Sequence, residues 1–259
     1  MHKIVILLSA LVFSGTALTG DFTIATQNLW HYNNDYEIRE SNLIASVQDF
    51  APDIVAFQEA AKWMSGEGLF DVFVEQTGYV SRFSETNNVF VMYEGVAIAS
   101  KFPAGSATLI ELPFSSTFGF RPMQILPVRT PDGEITILNV HLSPFADGRA
   151  GREAQIEFIA AYIEKKLINK KIILLGDFNQ EDEGGLFDRL KKIGFSDVPV
   201  KDACTYCHGD NPYAEGNYRS HLDHLFFRST DFVLKAQGRL FEKRPVSDHY
   251  GVWAELSFR

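Results

Sequence analysis

The chain has 259 residues, 46% of them hydrophobic and 22% charged, with a formal net charge of −9. This is ordinary globular composition, enough for a sizeable core, and it excludes a disordered, collagenous or low-complexity chain. The acidic balance also argues against a broad non-specific nucleic-acid surface, which needs a basic face, although a bound divalent cation can supply positive charge locally.

The N-terminus reads as an address. Met1-His2-Lys3, the apolar run Ile4 to Phe13 and the small residues Ser14 to Ala17 have the pattern of a secretory signal over residues 1–17, cleaved near Ala17. The run falls short of the ~20 residues a membrane span needs. No cysteine follows it to carry a lipid. The expectation is a secreted or periplasmic protein, soluble and monomeric. No Pro/Gly/Ser linker divides residues 18–259, which are expected to form a single domain.

In chain order, Phe22 to Asn28 alternates as a strand. Residues 37–50 carry Ile38, Leu43, Ile44, Val47 and Phe50 at helical spacing, and Pro52 ends that helix. Asp53 to Glu59 reads as a buried strand ending in a carboxylate, while residues 62–87 show no clear period. Val89 to Met92 and Gly95 to Ser100 suggest two strands around a turn at Tyr93-Glu94-Gly95. Residues 112–123 form a loop whose Phe114, Phe118 and Phe120 either pack on the rim or present an apolar tip to a membrane. A hairpin follows, Ile125 to Arg129 and Glu134 to Val140, around Pro131-Asp132-Gly133. Residues 150–168 spell an amphipathic helix through Ile156, Ile159, Ile163 and Leu167. Ile172 to Gly176 is a strand expected to be covered on both faces. A short helix over 184–193, a long loop over 197–220, a strand over 222–227 and a closing strand over 250–258 complete the chain.

Nearly every buried strand ends in a polar residue: Asn28, Glu59, Asn139 with His141, Asp177 with Asn179, Asp223, and Asp248 with His249. Residues at i and i+2 of a strand project to one side, so Asp177 and Asn179 together form a hard-oxygen site suited to Mg²⁺ or phosphate. Any one of them alone suits a turn or a cap. As a set they suggest metal-assisted phosphate ester hydrolysis, with carboxylates for a hard cation and histidines for proton transfer and charge neutralisation.

The motifs Gln27-Asn28-Leu29, Asp53 to Glu59, Asn139-Val140-His141-Leu142, Gly176-Asp177-Phe178-Asn179, Leu222-Asp223-His224 and Ser247-Asp248-His249 resemble, in order, those of the endonuclease/exonuclease/phosphatase superfamily. The resemblance covers residues 22 to 258. It implies a four-layer αββα sandwich of two mixed β-sheets flanked by helices, the DNase-I-like fold, and a divalent-metal phosphoesterase. It implies Glu59 as principal Mg²⁺ ligand (or Mn²⁺), with Asn28 beside it and Asp248 near a second metal or orienting His249. His249 would be the general base held by Asp223, His141 a donor to a phosphoryl oxygen, and Asp177 with Asn179 the pair orienting water and phosphate. His224 stands where the family commonly has tyrosine, and a packing or surface role is expected for it.

The segment Ala203 to Ala214 is similar to the corresponding region of the neutral sphingomyelinase branch. Together with export, acidity and the Phe-rich loop, this favours a phospholipid phosphodiester as substrate, met on a membrane lipid surface. A secreted nuclease acting on nucleic acid is the alternative. Cys204 and Cys207 most simply form a small disulfide in an exported protein. Cys204-Thr205-Tyr206-Cys207-His208 also has the spacing of a c-type haem attachment, and a zinc half-site with His208 or His221 is a further option. A non-catalytic binding module is disfavoured by the presence of both the metal carboxylate and the histidine–aspartate pair.

Overall fold

The computed structural model describes residues 20–31, 34–63, 66–89, 92–114, 120–144, 148–200 and 204–259. The expected signal segment, and Phe118 of the aromatic loop, lie outside the described residues. The elements are β1 (Phe22–Asn28), α1 (Tyr36–Asp49), β2 (Ile54–Trp63), α2 (Leu69–Thr77), β3 (Val80–Val89), β4 (Met92–Ser100), β5 (Thr108–Glu111), β6 (Pro122–Thr130), β7 (Gly133–His141) and α3 (Gly148–Lys166). Then follow β8 (Ile172–Asp177), α4 (Asp188–Lys192), β9 (Phe195–Asp197), β10 (Tyr206–Cys207), β11 (Arg219–Ser220), β12 (Asp223–Arg228), β13 (Phe232–Leu240) and β14 (Gly251–Phe258).

Two mixed six-stranded sheets carry the fold, in the orders β13-β14-β1-β2-β4-β3 and β5-β6-β7-β8-β12-β9. Each has one parallel pair at its centre, β1 with β2 and β7 with β8. Parallel neighbours need a crossover connection, and α1 and α3 supply it. Alternation along the strands sorts the side chains into layers. Ile24, Ile54, Ala56, Ile137, Ile173, Leu175 and Leu225 meet between the sheets. Their neighbours Ile172, Leu174 and Phe226 face Ile156, Ile159 and Ile163 of α3. On the other sheet Val55 and Phe57 face Leu43 of α1 and Phe70 and Phe73 of α2. The result is the expected αββα sandwich.

Several boundaries differ from expectation. The unassigned stretch 62–87 contains the end of β2, all of α2 and most of β3. The turn expected at Tyr93-Glu94-Gly95 is instead inside β4, which pairs continuously with β3 from Met92 onward. Gly95 is there for close approach: a Cβ on it would come within 2.2 Å of the Ser84 carbonyl oxygen. The helix expected over 184–193 is limited to Asp188–Lys192, and the loop 197–220 contains the small β10–β11 pair. The strand β13, at the edge of its sheet, left no clear sign in the sequence.

Candidate active site

The parallel strands of both sheets end at the same rim. On β1, Asn28 continues the row of Ile24; on β7, His141 continues Ile137; on β8, Asp177 continues Ile173 and Leu175; on β12, Asp223 precedes Leu225 and Phe227 in the same row. With a side-chain period of two, each of these polar residues therefore inherits the inward direction of the core between the sheets. Register aligns them further, since His141 and Asp223 both pair with Asp177.

Glu59 breaks this rule. Strict alternation would send it outward with Val55 and Phe57. The pairing of β2 with β4 shifts between Phe57 and Ala60, and Glu59 has a left-handed backbone, φ 48°. A bulge adds a residue to one strand and redirects the side chains beside it. Here it turns Glu59 to the rim, where Asn28 Nδ2 donates to Glu59 Oε1 (3.2 Å) and to Asp177 Oδ2 (2.9 Å). The Trp30 amide donates to Asn28 Oδ1 at 2.8 Å, which fixes the orientation of that amide group.

Three histidines face the carboxylates. His31 Nδ1 lies 2.6 Å from Glu59 Oε2. His141 Nε2 is 3.8 Å from Glu59 Oε1 and 3.7 Å from Asp177 Oδ2. His249 Nδ1 lies 2.8 Å from Asp223 Oδ2, leaving Nε2 as the nitrogen that this carboxylate does not engage. The Asp223 backbone is held in turn, because the Thr205 hydroxyl accepts the amides of Leu222 (2.9 Å) and Asp223 (3.1 Å). Asn179, also left-handed at φ 51°, donates its amide to Asp177 Oδ1 at 2.8 Å and its side chain to the Leu142 carbonyl at 3.1 Å. Asp248 accepts from the Ser247 hydroxyl at 3.1 Å, and the His249 amide donates to that hydroxyl at 3.2 Å.

Electrostatics divide these groups by role. Burial opposes charge on Glu59, but His31, His141 and the Asn28 amide outweigh it and hold its pKa below the ordinary carboxylate range. Burial raises Asp177, with the charge on Asp223 adding to the effect. Burial also raises Asp248. Burial disfavours charge on His249, yet Asp223, Asp177 and Asp248 overcome it and raise its pKa well above the usual histidine value. His141 is the opposite case: burial and the adjacent Arg121 guanidinium push it down to about 3, so it is neutral at working pH.

The donor set fits a divalent cation. Glu59, Asp177, Asp223 and Asp248 gather at one rim, with Glu94 beside them 3.8 Å from His31 Nδ1, and Asp223 Oδ1 is a buried acceptor without a hydrogen-bond partner. Ligand atoms of Asp177, Asp223 and His249 lie within 4.8 Å of one another. Beside the cluster opens a groove lined by Trp30, Asn34, Tyr206, Tyr213, Glu215 and Asp248.

Every expected site residue reaches this rim or its margin; Asn139, one of the strand-end residues, does not. Fully buried, it binds across the sandwich, donating to the carbonyls of Phe57 (3.0 Å) and Ala97 (3.1 Å) and accepting from Gln58 Nε2 (2.7 Å). His224 packs, as expected, with its ring edge-on to those of Phe178 and Phe187. Sequence reasoning missed His31, Arg121 and Arg39. Arg39, buried in α1, donates to the carbonyls of Leu29, Trp30 (2.8 Å) and Val246 (2.8 Å), tying the exit of β1 to the approach to His249. Its spacing of four from Leu43 on the buried helix face was the available signal.

Cys204 and Cys207 are joined in a disulfide. That leaves no thiol for covalent haem attachment or for a cysteine-based zinc half-site, and His208 Nδ1 instead faces the Ala214 carbonyl at 3.1 Å. The disulfide brackets Thr205 and Tyr206, and the Tyr206 ring meets His249 edge-on at 5.4 Å.

A family profile described as "Endonuclease/Exonuclease/phosphatase family" matches residues 25–249. No curated protein matches the sequence. Among solved structures, the chain is similar to an endonuclease/exonuclease/phosphatase family protein from Leptotrichia buccalis, with 18% identity and a TM-score of 0.70 over 92% of this chain and 100% of that one. It is also similar to D. rerio TDP2 complexed with a single-strand DNA product, with 17% identity and a TM-score of 0.73 over 92% and 99%. A third, the endonuclease/exonuclease/phosphatase from Beutenbergia cavernae, has 17% identity and a TM-score of 0.73 over 92% and 72%.

Proposed function

Because the chain belongs to the endonuclease/exonuclease/phosphatase family, we propose that it is an exported, Mg²⁺-dependent phosphodiesterase whose substrate is a phospholipid phosphodiester. The observation that carries the hydrolase reading is the convergence of Asn28, Glu59, Asp177 and the Asp223–His249 pair at one rim.

In this reading Glu59 is the principal residue that would hold the cation. Asn28 would help through its amide oxygen, which has a second lone pair beyond the one used by Trp30, and Asp248 stands nearby. When bound, the cation supplies positive charge that offsets the carboxylates, lowers the proton affinity of His249 and polarises a phosphoryl oxygen. His249 Nε2 takes the proton of the attacking water, while Asp223 on Nδ1 fixes the tautomer. Asp177 and Asn179 orient water and phosphate. His141, kept neutral by burial and Arg121, donates a hydrogen bond to a phosphoryl oxygen without needing charge.

The phospholipid reading is supported by the groove beside Asp248. Three aromatic rings with two acids suit a cationic headgroup, since ammonium ions are attracted to aromatic faces and to carboxylates. The net charge of −9 is poor for tracking a polyanion. A nuclease is the second reading, favoured by the TDP2 neighbour holding single-strand DNA and by the capacity of the same rings to stack bases.

The test is a parallel assay of sphingomyelin vesicles, plasmid DNA and inositol phosphates with Mg²⁺ and with EDTA. Mg²⁺-dependent release of phosphocholine, exceeding cleavage of the other two, is expected. Faster cleavage of DNA would replace the lipid reading by the nuclease one, and EDTA-insensitive or absent hydrolysis throughout would remove both.

A further inference from the structure

On the face of β12 opposite Asp223 lies a second group of ligand-type side chains. Asp197 ends β9, His224 follows Asp223 on β12, and His221 stands just ahead of that strand. One oxygen of Asp197 and one nitrogen from each histidine lie within 4.8 Å of one another. The two imidazole rings are 4.2 Å apart, centroid to centroid.

The hydrogen bonds decide which atoms are available. His224 Nε2 faces two carbonyl oxygens, those of Gln180 (3.0 Å) and His221 (3.1 Å). A carbonyl only accepts, so Nε2 carries hydrogen and Nδ1 is the nitrogen left to serve as a ligand. Nδ1 points at Asp197 Oδ2, 2.6 Å away. This is the arrangement that orients metal-bound histidines, in which the second ring nitrogen donates to a carbonyl or carboxylate. Two further atoms aim at no partner: Asp197 Oδ1 and His221 Nε2 are both buried and lack a hydrogen bond. Buried polar atoms are rarely left so, and here two of them belong to one three-residue cluster. The backbone of His221 is anchored as well, its amide donating to Glu181 Oε1 at 3.1 Å.

We propose that Asp197, His221 and His224 form a second metal site, separate from the phosphodiester centre, that takes a transition ion of the Zn²⁺ class. Two imidazoles and one carboxylate are a borderline donor set; Mg²⁺ and Ca²⁺ prefer all-oxygen surroundings. Three protein ligands leave a fourth tetrahedral position for water. On binding, the proton between His224 Nδ1 and Asp197 leaves to solvent and the ion takes its place, while Nε2–H keeps its carbonyl partners. The ion would tie β9 to β12 on both sides of Asp223, making this a positioning site for the Asp223–His249 pair.

The experiment uses the full chain, stripped with EDTA and saturated with Mg²⁺. Zn²⁺ content after dialysis, Zn²⁺ titration calorimetry and the visible spectrum of the Co²⁺-substituted protein are compared for wild type, His221→Ala, Asp197→Asn and Glu59→Gln. Expected is one tightly held Zn²⁺ in wild type and Glu59→Gln, with a tetrahedral Co²⁺ spectrum and a Zn²⁺-dependent rise in melting temperature. His221→Ala and Asp197→Asn should weaken that site by at least ~100-fold, the upper end of what even a ligand's supporting partners contribute. Equal Zn²⁺ stoichiometry and affinity in wild type and both cluster variants would overturn the proposal. So would Zn²⁺ binding abolished by Glu59→Gln instead, which would place the ion at the phosphodiester centre. Asp197→Asn retains a hydrogen-bonding side chain beside His224, so the comparison survives if His221→Ala does not fold.

Discussion

At the residue scale, two substitutions separate cation holding from proton transfer. On the proposed mechanism His249→Ala removes the base, and it should lower kcat by ~10² or more while leaving Mg²⁺ affinity intact. Glu59→Gln should instead raise the Mg²⁺ concentration needed for half-maximal rate. Mg²⁺ titrations of both variants read the distinction, and an unchanged kcat for His249→Ala would end its assignment. His141 makes a separate prediction about stability. Burial and Arg121 lower its folded pKa to about 3, so below the ordinary histidine value the unfolded chain takes up a proton that the folded one refuses. Stability from this group is therefore complete above pH ~6.5 and falls as pH drops towards 3, by about 2 kcal/mol at pH 5. In EDTA, urea midpoints at pH 7 and pH 5 should diverge less for His141→Gln than for wild type. Residues at strand exits were legible because a hydrophobic run ending in Asp, Glu or His sets an ionisable group at the lip of the core, where charge is costly unless a partner or a metal compensates it. Asn139 was misread because an amide serves equally well inside a core, where it donates to the Phe57 and Ala97 carbonyls of the facing sheet. Arg121 and His31 sit in loops without a period, so only their position in space reveals them.

Among the elements, the strand end at Gly176-Asp177 carries the tightest constraint. Gly176 has φ 147°, and a Cβ on it would fall 2.0 Å from the Val140 carbonyl oxygen. Gly176→Ala must push β8 away from β7 and should cost ~3 kcal/mol or more. Because Asp177 follows directly, activity at a temperature where the variant remains folded should fall as well; denaturant melts alongside kcat check both. The sequence marked Gly176 as the end of a hydrophobic strand, but not the closeness of Val140, which depends on the parallel pairing. The bulge at Glu59 was equally invisible: strict alternation points that carboxylate at α2, and a local shift of register brings it to the rim. The elements that left no clear sign in the sequence share a cause. Helix α2 is amphipathic but only 9 residues long, β3 is rich in polar residues, and β13 is an edge strand with mixed burial, so each offers too short or too mixed a pattern to stand out. Each is stabilised by its neighbours more than by its own pattern.

For the whole molecule, the four-layer sandwich was expected from the resemblance carried by six ordered motifs; in the structure its two central parallel pairs each take a helical crossover, and α1 and α3 are the two longest helices described. The acidic surface should make association with membranes depend on apolar contact more than on charge. Phe114, 66% exposed, is the described residue of the aromatic loop best placed for that contact, whereas Phe120 is half-buried. Phe114→Ser should reduce binding to zwitterionic vesicles in sedimentation assays and leave hydrolysis of a soluble phosphodiester unchanged. Loss of both together would make the loop a structural part of the rim. The pairing of the first strand with the last has one more consequence. β14 lies against β1 from Phe22↔Leu256 to Thr26↔Val252, and His249 stands two residues ahead of its first residue, Gly251. His249 thus cannot take its place beside Asp223 until the chain has been made as far as β14, and until then β1 is a raw edge open to aggregation. A protease that removed β14 would bare that edge and unseat His249 in a single cut.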